Sequence, residues 1–347
     1  MKHLTSIFTI AFGLVTTQIH AENLLKWTRR TGINIISVEA DQVQSHQISS
    51  TEYDAVAYSS TGRSVLAVAW KQGTLEFDLY HLADGVWGNQ RFSFPYEDSK
   101  PESISLAITE KAEHYLVICN HEAGRLIWRN RDADKTVYDR KFERKLQAGM
   151  ITRDRKAVTF FEVVKTEARY QDSAPAIFTK VTVEGQVASV TKEPYRTERG
   201  GAGWPLPAIE TNRNTFAFAS NYLPEPKNTR QIWEWNGAAD SDPTEIKHVF
   251  SRSVTSIPGS TDLCISQKDG LWVYQIPPKG AWVGTLIVPR KDEWVASTYR
   301  FSPTKKLVAF ENAFGFWIGK VSDQTVMKVA EADDIGFANF HWSLSAP

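Results

Sequence analysis

The sequence predicts an all-β fold, a seven-bladed β-propeller built from four-stranded blades. Three observations predict it. A short polar turn, an apolar run and a strand carrying a bulky ring recur in that order along the chain. The recurrence has the period of one four-stranded blade, about 40 to 58 residues. Finally, each end of the chain carries the part of a blade that the other end lacks.

The turns are Tyr58-Ser-Ser-Thr-Gly-Arg63, Ile108-Thr-Glu-Lys-Ala-Glu113, Ile151-Thr-Arg-Asp-Arg155, Ile209-Glu-Thr-Asn-Arg213, Ile257-Pro-Gly-Ser-Thr261, Phe301-Ser-Pro-Thr-Lys305 and Trp342-Ser-Leu-Ser345. After each of the first six comes a short apolar run with the β-branched and aromatic content of a buried strand: Val65–Trp70, Tyr115–Cys119, Ala157–Phe161, Phe216–Ala219, Leu263–Ile265 and Leu307–Phe310. A third strand then places one ring near its centre: Phe77, Trp128, Phe178, Trp233, Trp272 and Trp317. A ring at one position per blade suits the wide gap between twisted sheets. Most of the twelve tryptophans follow this register and read as core. Trp204 and Trp294 fall outside it, between blades.

Six blades are thus complete, and the seventh turn is an orphan. Leu24–Trp27, the turn Arg29–Gly32 and Ile33–Val38 read as strand, turn, strand, lacking only an innermost strand. Phe337–Trp342 can supply it. One C-terminal strand joined to three N-terminal ones closes the ring and leaves no sheet edge open. A six-bladed ring, the alternative, leaves the N-terminal strands without partners.

Phe301-Ser-Pro-Thr-Lys-Lys-Leu-Val-Ala-Phe310 resembles the W-S-P-D-G-x-x-I-A-F signature of the WD40-like repeats of TolB-type propellers. Tyr58-Ser-Ser-Thr-Gly-Arg-Ser-Val-Leu-Ala67 is a looser match, and His341-Trp-Ser343 matches its start. Blades two to five keep the spacing without the Ser-Pro-Asp-Gly chemistry. The resemblance implies the propeller fold and a binding role.

Residues 1–21 read as a secretory signal: Lys2 and His3 as the polar start, Leu4–Val15 as the apolar stretch, and Ile19-His-Ala21 as the cleavage site before Glu22. Residues 22–347 are expected to be one propeller domain, exported to a periplasm or beyond. No later segment is apolar over the length that a membrane-spanning helix needs. The charges balance, 40 Lys and Arg against 40 Asp and Glu, without the basic excess of a nucleic-acid or membrane-surface binder. A monomer is expected. Export permits disulfides, but Cys119 and Cys264 fall on second strands of blades two and five, nearly opposite in a seven-fold ring. That separation exceeds the roughly 7 Å a disulfide tolerates, so both read as buried thiols.

Catalytic chemistry has little purchase here. There is no G-x-S-x-G elbow, and Ser59, Ser60 and Ser260 fall in blade turns. His114 and His121 lie on opposite faces of a strand, without a paired metal motif, and read as surface imidazoles. Asp132–Asp134, Asp240–Asp242 and Asp333–Asp334 lack the Gly and distal Glu of a calcium loop. No cofactor and no metal are expected.

The longest interval between turns runs from Ile151 to Ile209, and its extra length falls in Val164–Ser173 and Tyr195–Trp204. Blade four adds Asn221–Asn228. These segments connect second to third strands or one blade to the next, so they open on one common face, where rigid scaffolds gather their binding loops. Arg169, Tyr170, Arg196, Arg199, Trp204 and Tyr222 are the candidate ligand-binding residues, because Arg and aromatic side chains dominate recognition surfaces. The sequence therefore reads as a non-enzymatic propeller that holds a protein, peptide or glycan. The alternative is a propeller lyase, lactonase or hydrolase working at the channel mouth.

Overall fold

The computed structural model describes residues 22–29, 31–39, 42–163, 175–189, 195–197, 208–221, 231–239, 241–250, 253–290, 299–312, 314–331 and 339–344. Every regular element among them is a β-strand. β1 (Glu22–Thr28), β2 (Gly32–Glu39) and β3 (Gln42–Ser49) are the outer strands of the closing blade. Blade 1 is β4 (Ala55–Tyr58), β5 (Ser64–Lys71), β6 (Thr74–Ala83) and β7 (Val86–Pro95), from the channel outward. Blade 2 is β8 (Ser103–Ile108), β9 (His114–Asn120), β10 (Gly124–Asn130) and β11 (Lys135–Lys141). Blade 3 is β12 (Leu146–Ile151), β13 (Ala157–Val163), β14 (Pro175–Thr182) and β15 (Val187–Ser189). A short strand, β16 (Tyr195–Thr197), precedes blade 4, which is β17 (Ile209–Glu210), β18 (Phe216–Asn221), β19 (Gln231–Trp235) and β20 (Thr244–Phe250). Blade 5 is β21 (Ser253–Ser256), β22 (Leu263–Gln267), β23 (Gly270–Gln275) and β24 (Val283–Pro289). Blade 6 is β25 (Tyr299–Phe301), β26 (Leu307–Asn312), β27 (Gly315–Lys320) and β28 (Val326–Ala330). β29 (Asn339–Ser343) returns to pair with β1, with Asn23 opposite Ser343 and Trp27 opposite Asn339. Blade 7 therefore has the order β29-β1-β2-β3, and the ring has seven blades closed by one C-terminal and three N-terminal strands.

The core is a set of seven apolar clusters, one at each contact between neighbouring blades. Between blades 1 and 2 lie Val68, Phe77, Tyr115 and Val117. Between 3 and 4 lie Phe161, Phe178, Phe218 and Trp235. Between 6 and 7 lie Leu24, Ile318, Phe340 and Trp342. Side chains alternate along each strand, so one sheet feeds the clusters on both its faces. The third-strand rings Phe77, Trp128, Phe178 and Trp233 are buried as expected. Trp272 and Trp317 are only half-buried; each turns its indole N–H to a side-chain acceptor near the end of its neighbouring strand, Asp269 at 2.9 Å and Asn312 at 3.0 Å.

In blades 1, 2, 3 and 6 the turn after the inner strand repeats one geometry. An N–H to C=O bond spans three residues, as in Gly62 to Ser59 (2.9 Å), Ala112 to Thr109 (2.9 Å), Arg155 to Thr152 (2.9 Å) and Lys305 to Ser302 (2.9 Å). The donor in each has positive φ: 68°, 51°, 60° and 61°. The hydroxyl that opens the turn then accepts the N–H starting the second strand: Ser59 from Ser64 (3.1 Å), Thr109 from His114 (3.0 Å), Thr152 from Ala157 (3.0 Å) and Ser302 from Leu307 (3.1 Å). This corrects the sequence reading of blades 2 and 3, where Thr109 and Thr152 keep the working hydroxyl of the motif although the Gly is gone.

At Gly62 the backbone requirement is strict. Its φ is left-handed, and a Cβ there would come within 2.3 Å of the Trp342 carbonyl oxygen on β29. Gly62→Ala should therefore cost at least about 2 kcal/mol, since strain and a backbone clash coincide; an unchanged urea midpoint would contradict this. Truncation before Phe337 should be more severe. It strips β1 of its partner and removes the buried Phe340 and Trp342, a loss of more than about 5 kcal/mol on the scale of large core deletions. A truncated monomer with an unchanged melting temperature would refute the closure.

Cys119 and Cys264 are free and buried, in the clusters between blades 1 and 2 and between blades 5 and 6. Burial pushes each thiol up to about 12. In the native state both should react with a thiol reagent about a thousandfold more slowly than an exposed cysteine, because only the thiolate reacts and burial makes it that much scarcer at neutral pH. Release should come only on denaturation, and native-state labelling at the free-thiol rate would show that the clusters open.

Candidate functional site

The antiparallel meander gives the ring two unlike faces. One, the turn face, carries the turns between first and second and between third and fourth strands. The other, the loop face, carries the second-to-third loops and the connections between blades.

The turn face is cross-linked all the way round by its own polar groups. Between blades 1 and 2 the Glu110 carboxylate accepts from Ser59 (3.2 Å), Ser60 (2.8 Å), the Thr61 N–H (3.1 Å) and the Thr61 hydroxyl. Between 2 and 3 Arg155 pairs with Glu113 at 2.5 Å. Between 3 and 4 Glu210 accepts the Arg153 N–H at 2.6 Å. Burial pushes the Glu210 carboxyl up, against the opposing pull of Arg153. Between 4 and 5 Asn212 and Arg213 donate to the carbonyls of Ile276 (2.5 Å) and Pro277 (2.7 Å). Lys305 reaches Asp262 at 2.5 Å between 5 and 6, and Thr304 reaches Glu22 between 6 and 7. Between 7 and 1 the Leu344 N–H donates to the Thr61 carbonyl at 2.7 Å. These groups spend their hydrogen-bonding capacity on neighbouring blades.

The loop face differs. β16 pairs on one side with β14 (Arg196 opposite Pro175, Tyr195 opposite Ala176) and on the other with β18 (Arg196 opposite Asn221, Thr197 opposite Ser220). Blades 3 and 4 thereby share one continuous sheet. The segment Tyr195–Trp204, expected to be a loop throughout, thus begins as a strand, because the open ends of β14 and β18 offer it unpaired backbone groups on both sides. The consequence is positional. Segment 164–174 ends at Pro175, segment 198–207 follows Thr197, and segment 222–230 follows Asn221, so all three are rooted on the same two-residue ladder. Arg196 lies on that ladder. Arg169, Tyr170, Arg199, Trp204 and Tyr222, like Trp294, lie outside the described residues.

Elsewhere on this face several charges are paired. Arg125 bonds Asp98 (3.0 Å) and Asp139 (2.7 Å), and Lys141 also bonds Asp98 (2.9 Å). The Lys141 hydrogen bond holds the Asp98 carboxyl below its ordinary value, against its slight burial. His121, expected as a surface imidazole, is half-buried with Nε2 3.1 Å from the Tyr96 hydroxyl. His114 is half-buried too, with Nε2 3.3 Å from the Asn130 amide, and burial lowers its pKa. Inside blade 1 the buried Asp78 accepts from Tyr53 (2.8 Å) and Arg91 (2.8 Å). Burial alone would raise it, but these donors hold it below the usual carboxylate range. Among the described residues no group of three His, Cys, Asp or Glu side chains is placed to hold a metal ion.

The channel wall contains a residue that the sequence reading missed. Arg300 is the middle residue of β25, flanked by the buried Tyr299 and Phe301. A charge alternating with rings on an inner strand was the available signal, hidden because the run is only three residues long.

No sequence-family model matches the chain, and no curated protein matches it by sequence. By structure it is similar to a proposed 6-phosphogluconolactonase from Bacteroides uniformis ATCC 8492, with TM-score 0.55, 10% identity, and 92% of this chain and 99% of that one covered. It is similar to another from Bacteroides fragilis NCTC 9343, with TM-score 0.53, 12% identity, and 94% and 99% covered. A protein from Lactobacillus plantarum has TM-score 0.53 at 10% identity, with 93% and 100% covered. At such identity the likeness shows the fold alone. The chain is a seven-bladed β-propeller, the fold it shares with these structures.

Proposed function

We propose that this chain is an exported binding protein that holds a protein, peptide or glycan on its loop face, over blades 3 and 4. The observation that carries the reading is the β16 ladder. It gathers the roots of three long segments onto one rigid sheet, and those segments contain Arg169, Tyr170, Arg199, Trp204 and Tyr222. A rigid base under the segments that carry the binding residues lowers the ordering cost of recognition. The turn face supports the same choice, since its turn groups are engaged from blade to blade. Export rests on the N-terminal segment 1–21, and no helix among the described residues is long and apolar enough to cross a membrane.

The test uses photo-crosslinking residues at positions 199 and 204 and, as a control, at the exposed Lys111 on the turn face. In cells of the source organism, discrete adducts should form from 199 and 204 and not from 111. Arg199→Ala with Trp204→Ala should abolish capture while moving the melting temperature by less than about 2 °C, the size of effect expected from surface changes in a domain this large. A drop corresponding to about 3–5 kcal/mol would mark Trp204 as core and remove this site. Two structural neighbours are described as proposed 6-phosphogluconolactonases, so the lactonase assay belongs beside it. Turnover that the double variant leaves intact would favour the enzyme reading.

A further inference from the structure

Three inner strands meet around Arg300. Tyr299 and Phe301 turn into the cluster between blades 5 and 6, so alternation along β25 aims the guanidinium the other way, toward blade 7. There its Cζ lies 5.7 Å from the Phe340 ring centroid on β29. On the far side of β29, Tyr58 from blade 1 sets its ring 5.8 Å from that of His341 and donates its hydroxyl proton to the Asn339 carbonyl at 2.9 Å. Protein surrounds the guanidinium, which keeps only part of its surface open.

Among the described residues no carboxylate pairs with Arg300, and no hydroxyl or carbonyl accepts a hydrogen bond from its guanidinium. Burial lowers its pKa, and among the described residues the Tyr58 hydroxyl and the Cys264 thiol act the other way. An arginine nonetheless keeps its proton. His341 adds no second charge: burial, and then Arg300 itself, hold it down to about 3. The neutral ring has Nε2 3.3 Å from the Ser60 carbonyl, so that nitrogen carries the N–H and Nδ1 is left as an acceptor. A cation withdrawn from water with no anion beside it is costly, and a planar fork of five donors matches one chemical class above others, the oxyanion.

Among the described residues, the turn-face side of this sector is covered. Just below this sector the chain continues from β29 to Leu344, whose N–H is held by Thr61 of blade 1. Its methyls lie where a Cβ on Gly259 of blade 5 would meet them at 3.0 Å. Leu344 thus spans from blade 1 to blade 5 across the turn-face mouth, beneath the strands that carry Tyr58, Arg300 and His341.

We propose that the channel wall at Arg300 is a binding site for a small oxyanion, a carboxylate or phosphate group that enters from the loop face. The site is independent of the partner reading, since its residues lie on strands that the loop variants leave untouched.

The full-length protein is titrated with inorganic phosphate and, separately, with succinate, at constant ionic strength, by calorimetry and thermal shift. Saturable binding of at least one anion is expected, and the stronger of the two identifies the group. Arg300→Met should weaken it at least about tenfold, the scale of a lost charge-assisted pair. Binding that Arg300→Met leaves unchanged, or no saturable binding of either anion by the unaltered protein, overturns the proposal. Should that variant not fold, crystals of the unaltered protein soaked in the better anion decide. Density within hydrogen-bond distance of the Arg300 guanidinium supports the site, and density only elsewhere sinks it.

Discussion

Each sheet of this ring is apolar on both faces, and that constraint governs the rest. A blade can hide both faces only if it has a neighbour on each side, and a row of such blades hides them all only when it closes. The seven clusters between blades are therefore one cooperative core, and the ladder between β1 and β29 is the contact on which it hinges. Leu24 and Trp342 face blade 6 from adjacent strands of blade 7, one from each end of the chain. Separating them would expose an edge and an apolar face at once.

Closure also sets the chemistry of the turn face. The turns after the inner strands must all sit at the same height to form a ring, and in blades 1, 2, 3 and 6 a hydroxyl at the first position holds them there. Ser59, Thr109, Thr152 and Ser302 each accept the N–H that begins the next strand. With the turns in register, polar groups of one blade meet those of the next, as Glu110 meets three residues of blade 1. The links keep buried polar atoms satisfied beside the apolar contacts, and they leave variation to the opposite face. There the connections lengthen at blades 3 and 4, and β16, a part of the added backbone, pairs with both β14 and β18. A propeller that braces one face and elaborates the other has a natural place for recognition.

The seven blades were legible in the amino-acid sequence because period-two burial and turn residues are local signals. Val65–Trp70 announces a buried strand without reference to anything distant, and the matching of the chain ends follows from counting strands. The thiols were legible for the same reason, since blade position alone keeps Cys119 from Cys264. Other features depend on residues far apart in sequence. β16 exists because two strand ends, at Pro175 and Asn221, stand open on either side of it. Trp272 and Trp317 bear the ring expected of their position, but each turns its indole N–H to a side-chain acceptor near a strand end. Arg300, on a strand of three residues, carries no local mark of the channel around it. Its setting is a property of blades 5, 6, 7 and 1 together. Composition and spacing determined the architecture, while only the tertiary structure decided what surrounds Arg300, because its neighbours are set by which distant strands the closed ring brings together.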